Sequence, residues 1–253
     1  MVNTKFEELM NIVRKLRKEC PWDKEQTNDS IKAATIEEAY EVVDAIDKND
    51  FNELKKELGD LLLHIVFHSI MAEENNKFNI EEVISSIKEK LINRHPHIFS
   101  DVKVNNSNDV KRNWEIIKLK EGRDSVLEGI PKNLPSLQKA HRLQEKAAKI
   151  GFDWARKEDV WKKVEEELNE MHEAEKIKSK DEIEKEIGDV FFALINYSRF
   201  LDINPDNALR KTNKKFTNRF SYIEKSLKEK GKKIGESNLE EMDFYWNESK
   251  KLF

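Results

Sequence analysis

The chain has 253 residues, 38% of them hydrophobic and 38% charged, with only 7 glycines and 5 prolines. This composition favours helices with solvated outer faces over a protein of strands and turns. The net charge of −4 and the lack of a lysine and arginine run argue against a nucleic-acid partner. The single cysteine, Cys20, excludes an intrachain disulfide and a cysteine-based zinc cluster, and it suits a reducing compartment.

Neither the N-terminus nor the most apolar run has the pattern of an export or membrane segment. The first 20 residues form an amphipathic pattern with interleaved charges and lack the apolar core of a signal peptide. The run from Leu61 to Met71 is too short to span a bilayer, and it contains His64 and His68. The sequence therefore predicts a soluble cytoplasmic protein with no membrane partner.

Apolar residues recur at intervals of three and four along almost the whole chain, which predicts an all-α fold without a significant sheet. In chain order the predicted helices cover about residues 4–19, 31–48, 51–75, 80–94, 108–121, 135–149, 158–176, 180–201, 205–229 and 238–250. Two prolines and a glycine interrupt this pattern between Arg123 and Pro135. We place the domain boundary there, between residues 1–123 and residues 124–253.

An acidic pattern of the first half recurs 129 residues later in the second half. The first copy consists of Glu37, Glu38, Glu41, Glu57 and Asp60, and the second of Glu166, Glu167, Glu170, Glu186 and Asp189. Further matches pair Lys90 with Lys215, Arg94 with Arg219, and Trp114 with Trp246. The chain is therefore predicted to contain two tandem copies of one helical unit of about 120 residues.

The spacing of the second acidic copy predicts a metal site. Residues three and four apart share a helix face, and a short connection makes successive helices antiparallel neighbours, so the two acidic patches can face each other. Such a group of carboxylates needs a cation between its members or raised pKa values. Oxygen ligands favour Mg²⁺, with Mn²⁺ as a substitute, whereas zinc would favour histidine or cysteine. A ferritin-type di-iron site would need Glu-x-x-His pairs, which ExxD pairs replace here.

Several residues near this pattern have two readings each. Lys215 and Arg219 lie four apart and could clamp phosphate oxygens or form an ordinary basic helix face. Asn196, two turns after Asp189, could contact a nucleobase or sugar or be a satisfied structural amide. We interpret Trp246 as a packing residue rather than a stacking platform.

His64 and His68 lie four residues apart, one turn after Asp60, so a histidine–carboxylate metal site can be drawn. The corresponding residues of the second copy, Ala193 and Tyr197, offer no such site. We therefore interpret the two histidines as core or interface residues.

The pattern EExxE followed by ExxD resembles that of the MazG family of nucleoside triphosphate pyrophosphohydrolases. The segments CPWDKEQT, EEAYEVVDAI, ELGDLLLHIVFH, RHPHIFSDV, NWEIIK and KIGFDW are similar to signatures of its tandem-repeat members, and the resemblance covers nearly the whole chain. It implies two tandem helical-bundle repeats, a homodimer and Mg²⁺-dependent hydrolysis of an NTP to NMP and pyrophosphate. It also implies a broad choice of base and a housecleaning or stress-related role.

The resemblance assigns roles residue by residue. It makes metal ligands of Glu166, Glu167, Glu170, Glu186 and Asp189. It places the family's downstream basic and aromatic positions on Lys215, Arg219 and Trp246. The candidate catalytic residues are Glu167, Glu170, Glu186, Asp189, Lys215 and Arg219, and the candidate substrate-binding residues are Asn196, Lys215, Arg219 and Trp246. A candidate second site in the first repeat comprises Glu37, Glu38, Glu41, Glu57 and Asp60.

In the predicted mechanism, carboxylates hold Mg²⁺ on the triphosphate, and Glu167 or the metal takes the proton of the attacking water. Phe67 stands in the first copy where the second has Asn196, and Asn28 stands where related proteins often have histidine. The second copy is therefore predicted to be the main catalytic unit, with the first helping assembly. The alternatives are a non-catalytic regulator that binds nucleotide or metal, and a structural scaffold.

Overall fold

A computed structural model of the chain describes residues 2–106, 109–110, 113–114, 116–117, 121–122, 124–177 and 179–252. It divides into two compact units, Met1–Lys103 and Val104–Phe253. Every regular element among these residues is helical and none is a strand, which confirms the predicted all-α class. No helix in this part of the chain is both long and apolar enough to cross a membrane. The predicted boundary between residues 123 and 124 stays a prediction.

The first unit contains six helices, and the second contains five α-helices and one short 3₁₀ helix among the described residues. Those of the first are α1 (Val2–Glu19), α2 (Pro21–Glu25), α3 (Lys32–Lys48), α4 (Phe51–Glu74), α5 (Ile80–Arg94) and α6 (Pro96–Phe99). Those of the second are α7 (Ser136–Lys149), α8 (Lys157–Ile177), α9 (Lys180–Phe200), α10 (Pro205–Glu229), the 3₁₀ helix (Ile234–Glu236) and α11 (Leu239–Ser249).

Nine of the ten predicted helices agree with these bounds to within two residues. The predicted helix over residues 108–121 falls largely outside the described residues. The sequence reasoning missed α2 and α6, which begin at a proline and last five and four residues, too few to establish a periodic apolar face. It also missed the 3₁₀ helix, for the same reason.

A tight turn makes α3 and α4 antiparallel neighbours. Asn49 ends α3 in the left-handed conformation (φ 55°), which asparagine tolerates better than most residues. Asp50 then begins α4 by accepting hydrogen bonds from the backbone N–H groups of Asn52 and Glu53, both at 3.0 Å. The hairpin packs on α1 through a buried apolar cluster that comprises Met10, Val13, Ile31, Val66, Phe67, Ile70 and Met71.

The second unit is built on the corresponding hairpin of α8 and α9, its most extensively packed pair of helices. Ser179 begins α9 by accepting from the backbone N–H of Glu182. Helix α7 packs against α9 and α10, and α10 packs against α11 through Ile223, Leu227 and Tyr245. Leu227 is fully buried, so its truncation to alanine is expected to cost about 2–5 kcal/mol of stability.

Candidate active site

Three carboxylates of the second unit converge where α8 and α9 face each other. One oxygen each of Glu167 on α8 and of Glu186 and Asp189 on α9 lie within 4.8 Å of one another. Glu167 is buried, with 7% of its surface exposed, whereas Glu186 is half-buried and Asp189 is exposed. The antiparallel hairpin thus brings together three of the five predicted metal ligands, and we call this group the second acidic cluster.

The other two predicted ligands, Glu166 and Glu170, are exposed and lie outside the cluster. The pKa of Glu170 is raised, because the surrounding protein displaces water from its carboxyl group and because Glu167 and Glu186 add negative charge nearby. Glu170 therefore lies close enough to the second acidic cluster for the charges of its members to raise the Glu170 pKa. Glu166 instead accepts a hydrogen bond from Lys163 Nζ at 2.7 Å.

Lys163 supplies positive charge to the cluster, and the sequence reasoning missed it. Its Nζ lies 2.7 Å from Glu167 Oε1 as well as 2.7 Å from Glu166 Oε1. Hydrogen bonds to these two carboxylates raise the pKa of Lys163. The available signal was its spacing, since Lys163 lies four residues before Glu167 and therefore on the same helix face.

A cavity of about 390 Å³ lies beside the second acidic cluster. Glu167 and Asp189 form part of its wall, and most of the remainder is apolar, including the rings of Phe152, Trp154 and Phe192. Asn196, a predicted substrate-binding residue, also lines the cavity and is 4% exposed. An acidic cluster at the wall of an apolar cavity is suited to a ligand with a charged end and an apolar end.

The three predicted basic and aromatic residues lie on α10 and α11. The Arg219 guanidinium lies 5.5 Å from the centre of the Trp246 ring, a cation–π distance, and Phe216 packs on the same ring. Lys215 is exposed one turn before Arg219. The structure therefore brings Arg219 and Trp246 together, but the described lining of the cavity includes none of the three.

The first unit has its own group of three carboxylates, which we call the first acidic cluster. Oxygens of Glu38 and Glu41 on α3 and of Glu57 on α4 lie within 4.8 Å of one another. A hydrogen bond with the Glu53 carboxyl group, loss of water and the nearby Glu41 raise the pKa of Glu57 to about 7. Two other predicted members of this site, Glu37 and Asp60, are exposed and lie outside the group.

A smaller pocket, of about 150 Å³, lies in the first unit; its described lining includes no member of the first acidic cluster, but it includes His64, whose Nε2 lies 3.9 Å from Glu38 Oε1. Its wall includes Phe67, which occupies the position of Asn196 in the second unit. Phe67 is 6% exposed and belongs to the apolar core, so the aromatic ring fills space that the second unit leaves open. Leu63 and Ile31 of the same wall likewise correspond to Phe192 and Val160 of the larger cavity.

The first unit also places its two histidines in a hydrogen-bonded chain. Thr35 Oγ1 lies 2.9 Å from His64 Nδ1 and 2.9 Å from His68 Nε2, and His68 Nδ1 lies 2.7 Å from Asn28 Oδ1. Burial and the neighbouring His64 lower the pKa of His68. The chain gives both rings local protein partners, and it gives Asn28 a contact that its sequence position did not reveal.

The matches to known proteins include both hairpins. The family model of the MazG nucleotide pyrophosphohydrolase domain matches residues 26–99 and 156–223. The chain belongs to the MazG nucleotide pyrophosphohydrolase family. Each matched MazG segment contains one complete acidic pattern, which confirms the tandem arrangement and the predicted enzyme class. Lys215 and Arg219 lie within the second segment, whereas Trp246 lies outside it.

Curated MazG relatives cover almost the whole chain. The nucleoside triphosphate pyrophosphohydrolase/pyrophosphatase MazG of Thermotoga maritima is 43% identical over 97% of this chain and 95% of its own length. The nucleoside triphosphate pyrophosphohydrolase of Escherichia coli K12 is 40% identical over 97% of each chain. The uncharacterized protein YabN of Bacillus subtilis is 46% identical over 97% of this chain and 51% of its own length.

Proposed function

We propose that this MazG protein hydrolyses nucleoside triphosphates, ribo or deoxy, at the α-phosphorus to give NMP and pyrophosphate in the cytoplasm, with a housecleaning or stress-related role. Mg²⁺ is the proposed metal and Mn²⁺ a substitute. The observation that carries the proposal is the second acidic cluster in the wall of the 390 Å³ cavity. The relatives from Thermotoga maritima and Escherichia coli, named for this activity, support it.

The spacing of the second acidic cluster fits a small divalent cation. Neighbouring oxygen ligands of an octahedral Mg²⁺ lie about 3 Å apart and opposite ones about 4.2 Å apart. The oxygens of Glu167, Glu186 and Asp189 already lie within 4.8 Å of one another, so small side-chain adjustments would bring them into that range. Glu166 and Glu170 complete the proposed ligand set. When bound, the metal would polarise the phosphoryl oxygens and lower the pKa of a water.

The chain's own residues would move the proton and hold the substrate. Glu167 is the proposed general base, since it is buried at the cavity wall where an attacking water must lie. Lys163 would hold the Glu167 side chain in place through its 2.7 Å ion pair. Lys215 and Arg219 would neutralise phosphate charge, and Trp246 would flank the substrate. These last three roles rest on the family pattern.

A homodimer is part of the proposal. Exposed apolar residues form one stripe on each hairpin: Leu58, Leu62 and Ile65 on α4 and, 129 residues later, Ile187, Phe191 and Leu194 on α9. Phe191 is the most exposed of these six side chains, at 60%. Stripes of this kind are typical of helices that pack against a partner, and a second copy of the chain would cover them. Sedimentation velocity is expected to show a dimer for the wild type and a monomer for Phe191→Arg.

Product analysis in ¹⁸O-labelled water tests the reaction. The purified protein is incubated with each NTP and Mg²⁺, and we expect NMP and pyrophosphate with the label in the phosphate of the NMP. Label in the pyrophosphate would mean attack at the β-phosphorus, and release of NDP and phosphate would mean attack at the γ-phosphorus. Either result contradicts the proposal. Binding without product would instead favour a non-catalytic nucleotide-binding regulator.

A further inference from the structure

Three side chains of the second unit form a hydrogen-bonded chain in the cavity wall. Arg199 Nη1 donates to Asp153 Oδ2 at 2.9 Å, and Arg199 Nη2 contacts the other oxygen of Asp153. The same guanidinium donates from Nε and Nη2 to Asn196 Oδ1, at 3.0 and 2.9 Å. All three residues line the cavity that Glu167 and Asp189 also line.

This chain fixes which end of the Asn196 amide faces the cavity. Because a guanidinium can only donate hydrogen bonds, the Asn196 atom that it contacts must be the carbonyl oxygen. The Nδ2 group therefore points away from Arg199, and it has no acceptor within the part of the chain that the structure describes. Since Asn196 is 4% exposed, the cavity is where its amide hydrogens can meet a partner. Nδ2 is not among the fully buried unpaired side-chain atoms of the described residues, so it reaches the open space of the cavity, where a ligand with an acceptor can bind it directly.

A second amide in the same wall is also unsatisfied. Gln144 donates from Nε2 to the backbone oxygen of Phe192 at 2.8 Å, but its buried Oε1 has no hydrogen-bond partner among the described residues. Gln144 is 9% exposed, on α7 rather than α9, so this observation is independent of the Asp153–Arg199 pair. Two incompletely paired amides line the same cavity as the rings of Phe152 and Trp154, a combination suited to a flat heterocycle with polar edges.

We propose that the nucleobase of the substrate enters this cavity and accepts a hydrogen bond from Asn196 Nδ2, with Arg199 and Asp153 as positioning residues that hold the amide in its donating orientation. The inference rests on the proposed function, since it takes a nucleotide as the ligand. For an adenine nucleotide, whose base has no carbonyl group, it specifies the recognised group as one of the unprotonated ring nitrogens N1, N3 or N7. A nucleotide that lacks this acceptor leaves Nδ2 unpaired, so it binds more weakly.

The first unit cannot make this contact. Its residues at the positions of Asn196 and Arg199 are Phe67 and Ile70, which are 6% and 3% exposed and belong to the apolar core. The proposed contact from the Asn196 amide is therefore specific to the second unit.

Calorimetric titration with nucleotide analogues tests the inference. The parent ligand is ATP with a methylene group between the α- and β-phosphorus, and three further ligands replace N1, N3 or N7 of its adenine with C–H. Each is titrated with Mg²⁺ into the wild type, Arg199→Met and Arg156→Met. Arg156 is the matched control because it makes the same two-bond pair with Asp159, at 3.0 Å for each bond, but lies outside the cavity wall. If Arg199→Met does not fold, Asp153→Asn takes its place in the titration, because asparagine has nearly the size of aspartate.

We expect one of the three analogues to bind about tenfold more weakly than the parent to the wild type and to Arg156→Met. Arg199→Met, and to a smaller degree Asp153→Asn, should reduce that penalty, because the freed Asn196 amide no longer favours one orientation. In steady-state assays with ATP, Arg199→Met should raise KM with kcat nearly unchanged.

The inference is overturned if all three analogues bind the wild type as tightly as the parent, or if the penalty persists in Arg199→Met and Asp153→Asn. ATP hydrolysis by the wild type, measured in parallel, separates this failure from that of the proposed function. If the protein converts ATP to AMP and pyrophosphate but binds all three analogues as tightly as the parent, the further inference is refuted and the proposed function stands. Absence of both binding and turnover for the nucleotides tested removes both proposals.

Discussion

The two helical hairpins carry the same pattern of five acidic residues. The three carboxylates that lie close together, however, occupy different positions of the pattern in each hairpin. The first acidic cluster consists of Glu38, Glu41 and Glu57, and the second of Glu167, Glu186 and Asp189. The most buried carboxylate is Glu57 on the second helix of the first hairpin, but Glu167 on the first helix of the second. Repetition of a motif therefore does not guarantee repetition of the site.

The surroundings of the clusters differ more than the clusters do. Lys163 pairs with the buried Glu167, whereas the corresponding residue of the first unit is Ala34. The large side chain of Phe67 lines the smaller pocket of the first unit. The smaller side chain of Asn196 lines the larger cavity of the second. The comparison teaches that two units with the same acidic pattern differ in the residue two turns further along the second helix, which is Phe67 in the first unit and Asn196 in the second, and in the volume of the nearby cavity.

The largest effect short of removing a metal ligand is expected from Asn196→Phe, which places the residue of the first unit in the second. The ring should fill the cavity and remove the Nδ2 donor, so kcat/KM for NTP hydrolysis should fall by about 100-fold or more. Steady-state kinetics measures this, with a thermal melt to show that the variant is folded. Unchanged kinetics would mean that the cavity of the second unit does not hold the substrate.

Substitution of Phe67, the counterpart of Asn196 in the first unit, is expected to lower the stability of the protein rather than its activity. Phe67→Ala removes a ring that is 6% exposed and packs in the core of the first unit, so unfolding free energy should fall by about 3–5 kcal/mol. Urea denaturation monitored by circular dichroism measures the loss. Turnover at a temperature where the variant stays folded should be nearly unchanged. A large loss of kcat there would show that the first pocket takes part in catalysis.

A pH dependence of stability is expected from the first acidic cluster. The pKa of Glu57 is raised to about 7 in the folded protein, so the folded state binds this proton more tightly than the unfolded chain does. The resulting stability is fully present below about pH 4.5 and is lost as pH rises through about 7. In metal-free solution, Glu57→Gln should therefore become more stable relative to the wild type between pH 4.5 and 8. A difference that does not change with pH contradicts this pKa.

The smallest effect is expected from Lys163→Ala, which makes the second cluster resemble the first. The Lys163 side chain is 37% exposed, so solvent weakens its ion pairs, and the metal-free protein should lose only about 0.5 kcal/mol. Adding Mg²⁺ should recover part of the loss, because a bound cation would replace the missing positive charge. Chemical denaturation with and without Mg²⁺ measures both values, and Lys162→Ala on the same helix is the control. Equal losses for the two variants would show that Lys163 has no special role at the cluster.

The sequence predicted the helices well because their apolar periodicity is a local property. It also predicted that the acidic patches of α8 and α9 meet, because a short connection forces the two helices to lie side by side. It did not predict that Glu166 lies outside the cluster and pairs with Lys163, since residues next to each other on a helix differ in direction by about 100° and the motif alone does not set the rotation.

The network around Asn196 was harder to predict. Asp153 and Arg199 are 46 residues apart, and their pairing depends on how the segment before α8 passes over α9. The spacing of Asn196 and Arg199, three apart on one helix, was the available local signal. The positions of Lys215, Arg219 and Trp246 relative to the substrate remain predictions from the family pattern.

The central claim is that the second hairpin is the metal-dependent catalytic site, and matched variants of the two hairpins test it most directly. NTP hydrolysis with Mg²⁺ is measured for Glu186→Gln and for Glu57→Gln, which change corresponding residues of α9 and α4. We predict that Glu186→Gln lowers kcat by at least about 100-fold, since it would remove a proposed metal ligand, and that Glu57→Gln retains most of the activity. Loss of turnover in Glu57→Gln with near-normal turnover in Glu186→Gln would contradict the account.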